Sequence, residues 1–173
     1  MLTPKMQDAL NAQINAEIYS AYLYLGISAT LEDMGLKGFS HWMRIQFDEE
    51  MMHAMKLFDY VLERGGQIAL EQIDKPELDI DSPLKAFELT LEHEQKVTGL
   101  INSLVDVAIG ESDHASQNFL QWYVGEQVEE EANVNEILQQ LRLLGDNPAA
   151  LFMVDRDLGA RPTATPPDAE AAA

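Results

Sequence analysis

Apolar residues recur at the three-to-four spacing of a helix along five stretches of this chain. The first follows Thr3-Pro4, a cap residue and the proline favoured at the opening helical position. It runs through Leu10, Ile14, Glu17, Ala21, Tyr24 and Ser28 to Gly35. The second carries Met43, Phe47, Glu50, His53, Leu57 and Val61 and stops at Gly65-Gly66. The third starts at Ser82-Pro83 and runs along Phe87, Leu91, Glu94, Thr98, Ile101 and Val105 to Gly110. Asp113 can cap the fourth, along Leu120, Tyr123, Gln127, Glu130, Val134, Leu138 and Leu141, which Gly145 ends. The spacing predicts helices over about 4–34, 36–64, 83–109 and 114–144. A short fifth helix over 146–159 carries Leu151, Phe152, Val154 and Leu158, and 160–173, rich in proline and alanine, reads as a disordered tail.

The connections give the topology. Gly35 leaves room only for a tight turn, so the first two helices are antiparallel, and Gly110 to Asp113 pairs the third with the fourth in the same way. Residues 67–81 are not helical. Fifteen extended residues reach at most ~50 Å, more than the ~42 Å length of a 28-residue helix. The segment can therefore cross the whole bundle. The expected fold is all-α, with residues 1–145 as a four-helix bundle, one long crossover, and the short fifth helix beyond it.

Polar residues interrupt the apolar stripes at one spacing. Glu17 and Glu94, Glu50 and Gln127, and His53 and Glu130 each stand 77 positions apart. Measured from the turns, the ligand-type positions of all four helices sit at nearly equal height, so they converge on one layer midway along the bundle. Buried carboxylates are costly unless compensated, and no basic residue shares their stripes. Two divalent cations would balance Glu17, Glu50, Glu94 and Glu130. Glu50-Met51-Met52-His53 is Glu-x-x-His, whose ends share a helix face. Alone that motif is weak: Glu111 to His114 matches it too, at a short turn where it reads as solvated loop. Carboxylates with one imidazole suit iron or manganese, and the absence of thiolate argues against structural zinc.

Composition narrows the class. The 173 residues suit one domain, and the absence of cysteine removes disulfides, thiolate sites and iron–sulfur clusters. The net charge of −19 disfavours nucleic acid and anionic membrane and favours cations. No apolar run reaches a membrane span and no secretory leader opens the chain, so the expected compartment is the cytoplasm. Glu126, Glu129 and Glu130 lie at i, i+3 and i+4 in an acidic run, level with Glu49, and together these suggest a looser third cation site. Tyr24, on the Glu17 stripe, reads either as a core phenol bonded to a ligand carboxylate or as a redox-active one. Trp122 and Tyr123 read as core.

The segment Asn15 to Tyr24, then Glu49 to His53, then Phe119 to Tyr123 with Glu126 to Glu131, closely resembles the non-haem ferritins of bacteria and archaea over about residues 1–160. The resemblance implies an iron-storage protein that oxidises Fe(II) with O2 or H2O2 at a two-iron ferroxidase centre. It also implies that ferric mineral is stored inside a homo-oligomeric cage of 24 subunits. It would assign Glu17, Glu50 and His53 to the first iron. Glu50 would bridge to a second, completed by Glu94 and Glu130, with Gln127 beside the pair or weakly bound. Glu49, Glu126, Glu129 and Glu130 would form the third iron site, and Tyr24 matches the tyrosine beside the first iron. The second helical pair reads Gln127-x-x-Glu130, the form this resemblance implies, where a bacterioferritin or rubrerythrin would carry a second Glu-x-x-His. Met51 stands where a bacterioferritin places its haem ligand, but no haem is expected. A non-storing di-iron peroxide scavenger, a haem-binding bacterioferritin and a purely structural bundle are the competing classes.

Overall fold

In the computed structural model, which describes residues 1–163, the chain forms α1 (Pro4–Asp33), α2 (Lys37–Glu63), α3 (Pro83–Gly110), α4 (His114–Leu144) and α5 (Pro148–Leu158), and no strand among the described residues. Four of the five helices start on a side-chain cap. Thr3 accepts from the Met6 amide at 3.2 Å, Ser82 from Lys85 at 3.3 Å, Asp113 from Ser116 at 3.1 Å and Asn147 from Ala149 at 3.1 Å. Leu36, before α2, has no such side chain. Asp155 of α5 serves instead, its Oδ1 accepting from the amides of Gly38 at 2.8 Å and Phe39 at 3.0 Å.

Gly35, at φ +79°, turns α1 into α2 in a conformation that a side chain would strain. These two helices form one antiparallel pair, α3 and α4 form the other, and α5 docks on α2. The crossover from α2 to α3 is sewn onto α1. Gln67 donates its amide to Gln7 Oε1 at 2.9 Å, Asn11 bonds the backbone of Gln67 and Ala69, each at 3.0 Å, and Asn15 donates to the Gln72 carbonyl at 3.2 Å. Leu78 then lies against Gly26. The segment thus travels along α1 and delivers α3 at the far end.

The apolar core comes in two blocks. One gathers Ile27, Leu31, Phe39, Met43, Phe87 and Leu138; the other gathers Met6, Leu10, Leu57, Ile101 and Leu120. Between them lie the buried polar side chains Glu17, Gln46, Glu50, His53, Glu94, Gln127 and Glu130. Burial on both sides holds these groups in a dry layer. No helix among the described residues is long and apolar enough to cross a membrane.

Of the expected tail, residues 164–173 lie outside the described residues. Its boundary at 160 moves outward, because Arg161 is anchored: Nη2 donates to Glu49 Oε2 at 2.7 Å and Nη1 to Gln46 Oε1 at 2.5 Å. A contact more than a hundred residues away in sequence leaves no trace in helical periodicity.

Candidate metal centre

Each helix of the bundle supplies the layer from mid-length, where the apolar stripe on its inner face carries a Glu, a Gln or a His. Glu17 comes from α1, Glu50 and His53 from α2, Glu94 from α3, and Gln127 and Glu130 from α4, none more than 6% exposed. Donor atoms of Glu17, Glu50 and His53 lie within 4.8 Å of one another, the one grouping of at least three metal-type donors among the described residues. His53 Nδ1 stands 3.6 Å from Glu50 Oε2.

Hydrogen bonds fix the trio and the other two carboxylates from around the layer. Gln13 donates to Glu17 Oε1 at 2.8 Å, and Gln46 to Glu130 Oε2 at 2.8 Å. Tyr24 Oη donates to Glu94 Oε1, and Gln127 Nε2 to Glu94 Oε2 at 3.1 Å. Tyr123 Oη donates to the His53 carbonyl at 2.8 Å, and Trp122 sets its ring edge-on to the imidazole at 5.3 Å. One buried side-chain polar atom among the described residues has no hydrogen-bond partner, and it is Glu50 Oε2. Buried oxygens are rarely left so. An acceptor aimed beside a carboxylate and an imidazole fits a cation.

The electrostatics agree. Burial first, and like charge second, push Glu94 up to about 7 and Glu130 up to about 8, although hydrogen bonds from Tyr24 and Gln127 to Glu94 and from Gln46 to Glu130 pull the other way. Burial raises Glu17, and raises Glu50 further with the charges of Glu17 and Glu94 behind it. It lowers His53 to about 4, with the charge of Lys56 in support. Burial therefore favours the protonated form of the acids and the neutral imidazole, a donor set that exchanges protons for metal ions.

The four residues expected to form a third site are less uniform. Glu130 is buried, Glu126 half-buried and Glu129 exposed. Glu49 is near enough for its charge to raise Glu130, but its own carboxylate is held by Arg161. Gln13 and Gln46 escaped sequence reading, yet a signal was present: each stands four residues before a ligand-type glutamate, Glu17 and Glu50, on the same helix face.

An antiparallel four-helix bundle with one long crossover and a buried layer of carboxylates and imidazole defines the ferritin-like class of metal-binding bundles. The model of the ferritin-like domain family matches residues 7–144. The chain is 44% identical over 161 residues to the bacterial non-heme ferritin of Bacteroides fragilis, covering 93% of this chain and 100% of that protein. It is 38% identical to the bacterial non-heme ferritin of Campylobacter jejuni, covering 90% and 93%. Among solved structures, an open pore ferritin from the hyperthermophilic archaeon Archaeoglobus fulgidus matches with a TM-score of 0.92 at 54% identity, over 94% of this chain and all of that one. The chain belongs to the ferritin family, among the non-haem ferritins of bacteria and archaea.

Proposed function

We propose that this ferritin stores iron by oxidising Fe(II) at the buried layer, with the substrate ions held as a pair. The observation that carries the reading is the unpartnered Glu50 Oε2 beside Glu17 and His53. Glu17, Glu50 and His53 take one ion. Glu50 reaches toward the second, which Glu94 and Glu130 complete. Four carboxylates then balance two Fe(II) ions, and the protons on Glu94 and Glu130 leave as the metal arrives. Gln127 acts through its hydrogen bond to Glu94 and so orients that carboxylate.

Anionic ligation stabilises Fe(III) over Fe(II), so the loaded site is readily oxidised. Each Fe(II) gives up one electron. Together they reduce O2, with two protons, to H2O2, or reduce H2O2 to two hydroxides. Hydrolysis of the Fe(III) to oxo-hydroxide releases further protons. Tyr24, bonded to Glu94, would steady that ligand and could give up an electron to the site.

Storage requires an enclosure, and the reading includes a 24-subunit cage. Phe152 and Met153 on α5 are 69% and 56% exposed in the isolated chain, an apolar face suited to a neighbouring subunit. Spread over such a cage, the net charge of −19 per chain attracts cations. The test is aerobic addition of excess Fe(II) to metal-free protein, followed by gel filtration with protein and ferric absorbance recorded together. Ferric iron co-eluting with a very large particle is the expected result. Rapid oxidation with iron lost from a small species would replace storage by the chemistry of a di-iron redox enzyme.

A further inference from the structure

Arg161 follows α5 in sequence, yet its guanidinium sits on α2 beside the buried layer. Nη2 donates to Glu49 Oε2 at 2.7 Å, while Nη1 donates to Gln46 Oε1 at 2.5 Å and to the Trp42 carbonyl at 3.5 Å. The guanidinium also lies over the Trp42 ring at 4.7 Å, and the Arg161 carbonyl meets His41 Nε2 at 2.9 Å. The ion pair is mostly buried, with side chains 20% and 22% exposed. Gln46 extends the chain of contacts inward, since its amide nitrogen donates to Glu130 at 2.8 Å. An amide whose oxygen is held by a guanidinium cannot flip, so Gln46 is fixed with its donor toward Glu130.

Glu49 is thus already paired with a cation of the chain itself, and Glu130 is linked to that cation through the neutral Gln46 amide. We propose that Arg161 is a tethered counter-ion that competes with a third iron ion for Glu49, so that a metal bound there must displace the guanidinium. The inference rests on the two-iron reading above and concerns the ion beyond that pair. A metal ion and a guanidinium cannot both sit against one mostly buried carboxylate without strong like-charge repulsion. The displaced group has somewhere to go. A cavity of about 270 Å³ opens beside it, bounded by Trp42, Glu136, Gln140 and Leu158, and Glu136 offers a second acceptor. Arg161 is accordingly a positioning and gating residue, one that sets how tightly the third ion is held without touching the pair.

The experiment is calorimetric titration of metal-free full-length protein with Zn(II) alone, in the wild type, Arg161→Gln and Arg161→Lys, with tryptophan emission followed in parallel. The wild type is expected to bind two ions tightly and a third weakly. Arg161→Gln is expected to tighten the third by about tenfold, as removal of a competing buried charge partner predicts, with the first two changed by less than about threefold. Arg161→Lys keeps the charge and keeps the third ion weak. Trp122, beside His53, reports the first two ions; the third ion adds a separate change in emission that Trp42→Phe abolishes. A third ion bound equally in the wild type and Arg161→Gln, or bound in neither while both take two, overturns the competition and leaves the pair intact. Loss of the first two ions from the wild type itself would overturn the two-iron reading, and this inference with it.

Discussion

His53 Nδ1 lies 3.6 Å from Glu50 Oε2, two buried groups one helical turn apart on α2 with no hydrogen bond between them. Burial favours the neutral imidazole and the protonated carboxyl, so the two form no ion pair that would stabilise the metal-free protein. Glu50→Gln keeps the shape and removes the ionisable oxygen. Metal-free stability should stay the same or rise by about 1 kcal/mol, since a buried acid is replaced by a neutral group. Divalent metal should then stabilise the protein far less, and oxidation should slow by at least about 100-fold, the upper end of what losing a supporting residue costs a metal site. Thermal unfolding with and without Zn(II), beside initial rates of ferric formation, checks both. Undiminished oxidation would remove Glu50 from the centre.

The pH dependence of the metal-free protein follows from opposing groups. Glu94 and Glu130 have folded pKa values of about 7 and 8 against the ordinary 4.5. The folded chain therefore holds protons that the unfolded chain has released, and stability falls as pH rises between 4.5 and 8. His53 and His93, lowered from 6.5 to about 4, act the other way, costing stability as pH drops below 6.5. The two effects oppose each other between 4.5 and 6.5. Above 6.5 the carboxyls of Glu94 and Glu130 remain. The melting temperature of metal-free protein should fall steadily from pH 6.5 to about 8, and Zn(II) should flatten the slope by taking the place of the protons. A metal-free melting temperature that is level over this range would show that the acids are already ionised.

Tyr24 and Gln127 hold the two oxygens of Glu94 from opposite sides, one on α1 and one on α4. Both bonds favour the ionised form, against the burial that raises it. Tyr24→Phe should cost about 1 kcal/mol of stability, a typical buried hydrogen bond. It should also raise the Glu94 pKa further, so that metal uptake moves to higher pH. Zn(II) affinity measured against pH in the variant and the wild type reads this directly, and superimposable curves would mean that Tyr24 does not govern Glu94.

The bundle and its polar layer were legible in the sequence because both follow from periodicity. Glu17, Glu50, Glu94 and Glu130 fall on apolar stripes at matched distances from their turns, and Thr3, Ser82 and Asp113 are local caps. What was hidden acts between elements. Gln13 and Gln46 are neutral residues whose partners are visible only once the helices are packed. Arg161 stands 112 residues from Glu49, and Asp155 117 from Gly38, in a region where composition suggested little beyond a short helix and a tail. Pairings of that range have no periodic signal. They show only in the folded chain.

Gly38 and Asp155 set how α5 is fastened. A Cβ at Gly38 would come within 1.5 Å of the Asp155 carbonyl oxygen and 2.5 Å of its carbon, both backbone atoms that no rotamer change moves aside. At the same place the Asp155 carboxylate supplies the missing cap of α2. Gly38→Ala should therefore push α5 off its seat, at about 1–3 kcal/mol for an overpacked contact, while the four-helix bundle stays folded around its two apolar blocks. Asp155→Ala leaves room but removes the cap, at a cost of about 1 kcal/mol. Limited proteolysis separates the two effects. Cleavage within 148–158 should accelerate strongly in Gly38→Ala and modestly in Asp155→Ala, with helical circular dichroism nearly unchanged. If α5 also forms subunit contacts, Gly38→Ala should lower the yield of large assemblies in gel filtration. Protease resistance equal to that of the wild type would show that α5 can dock without this close approach.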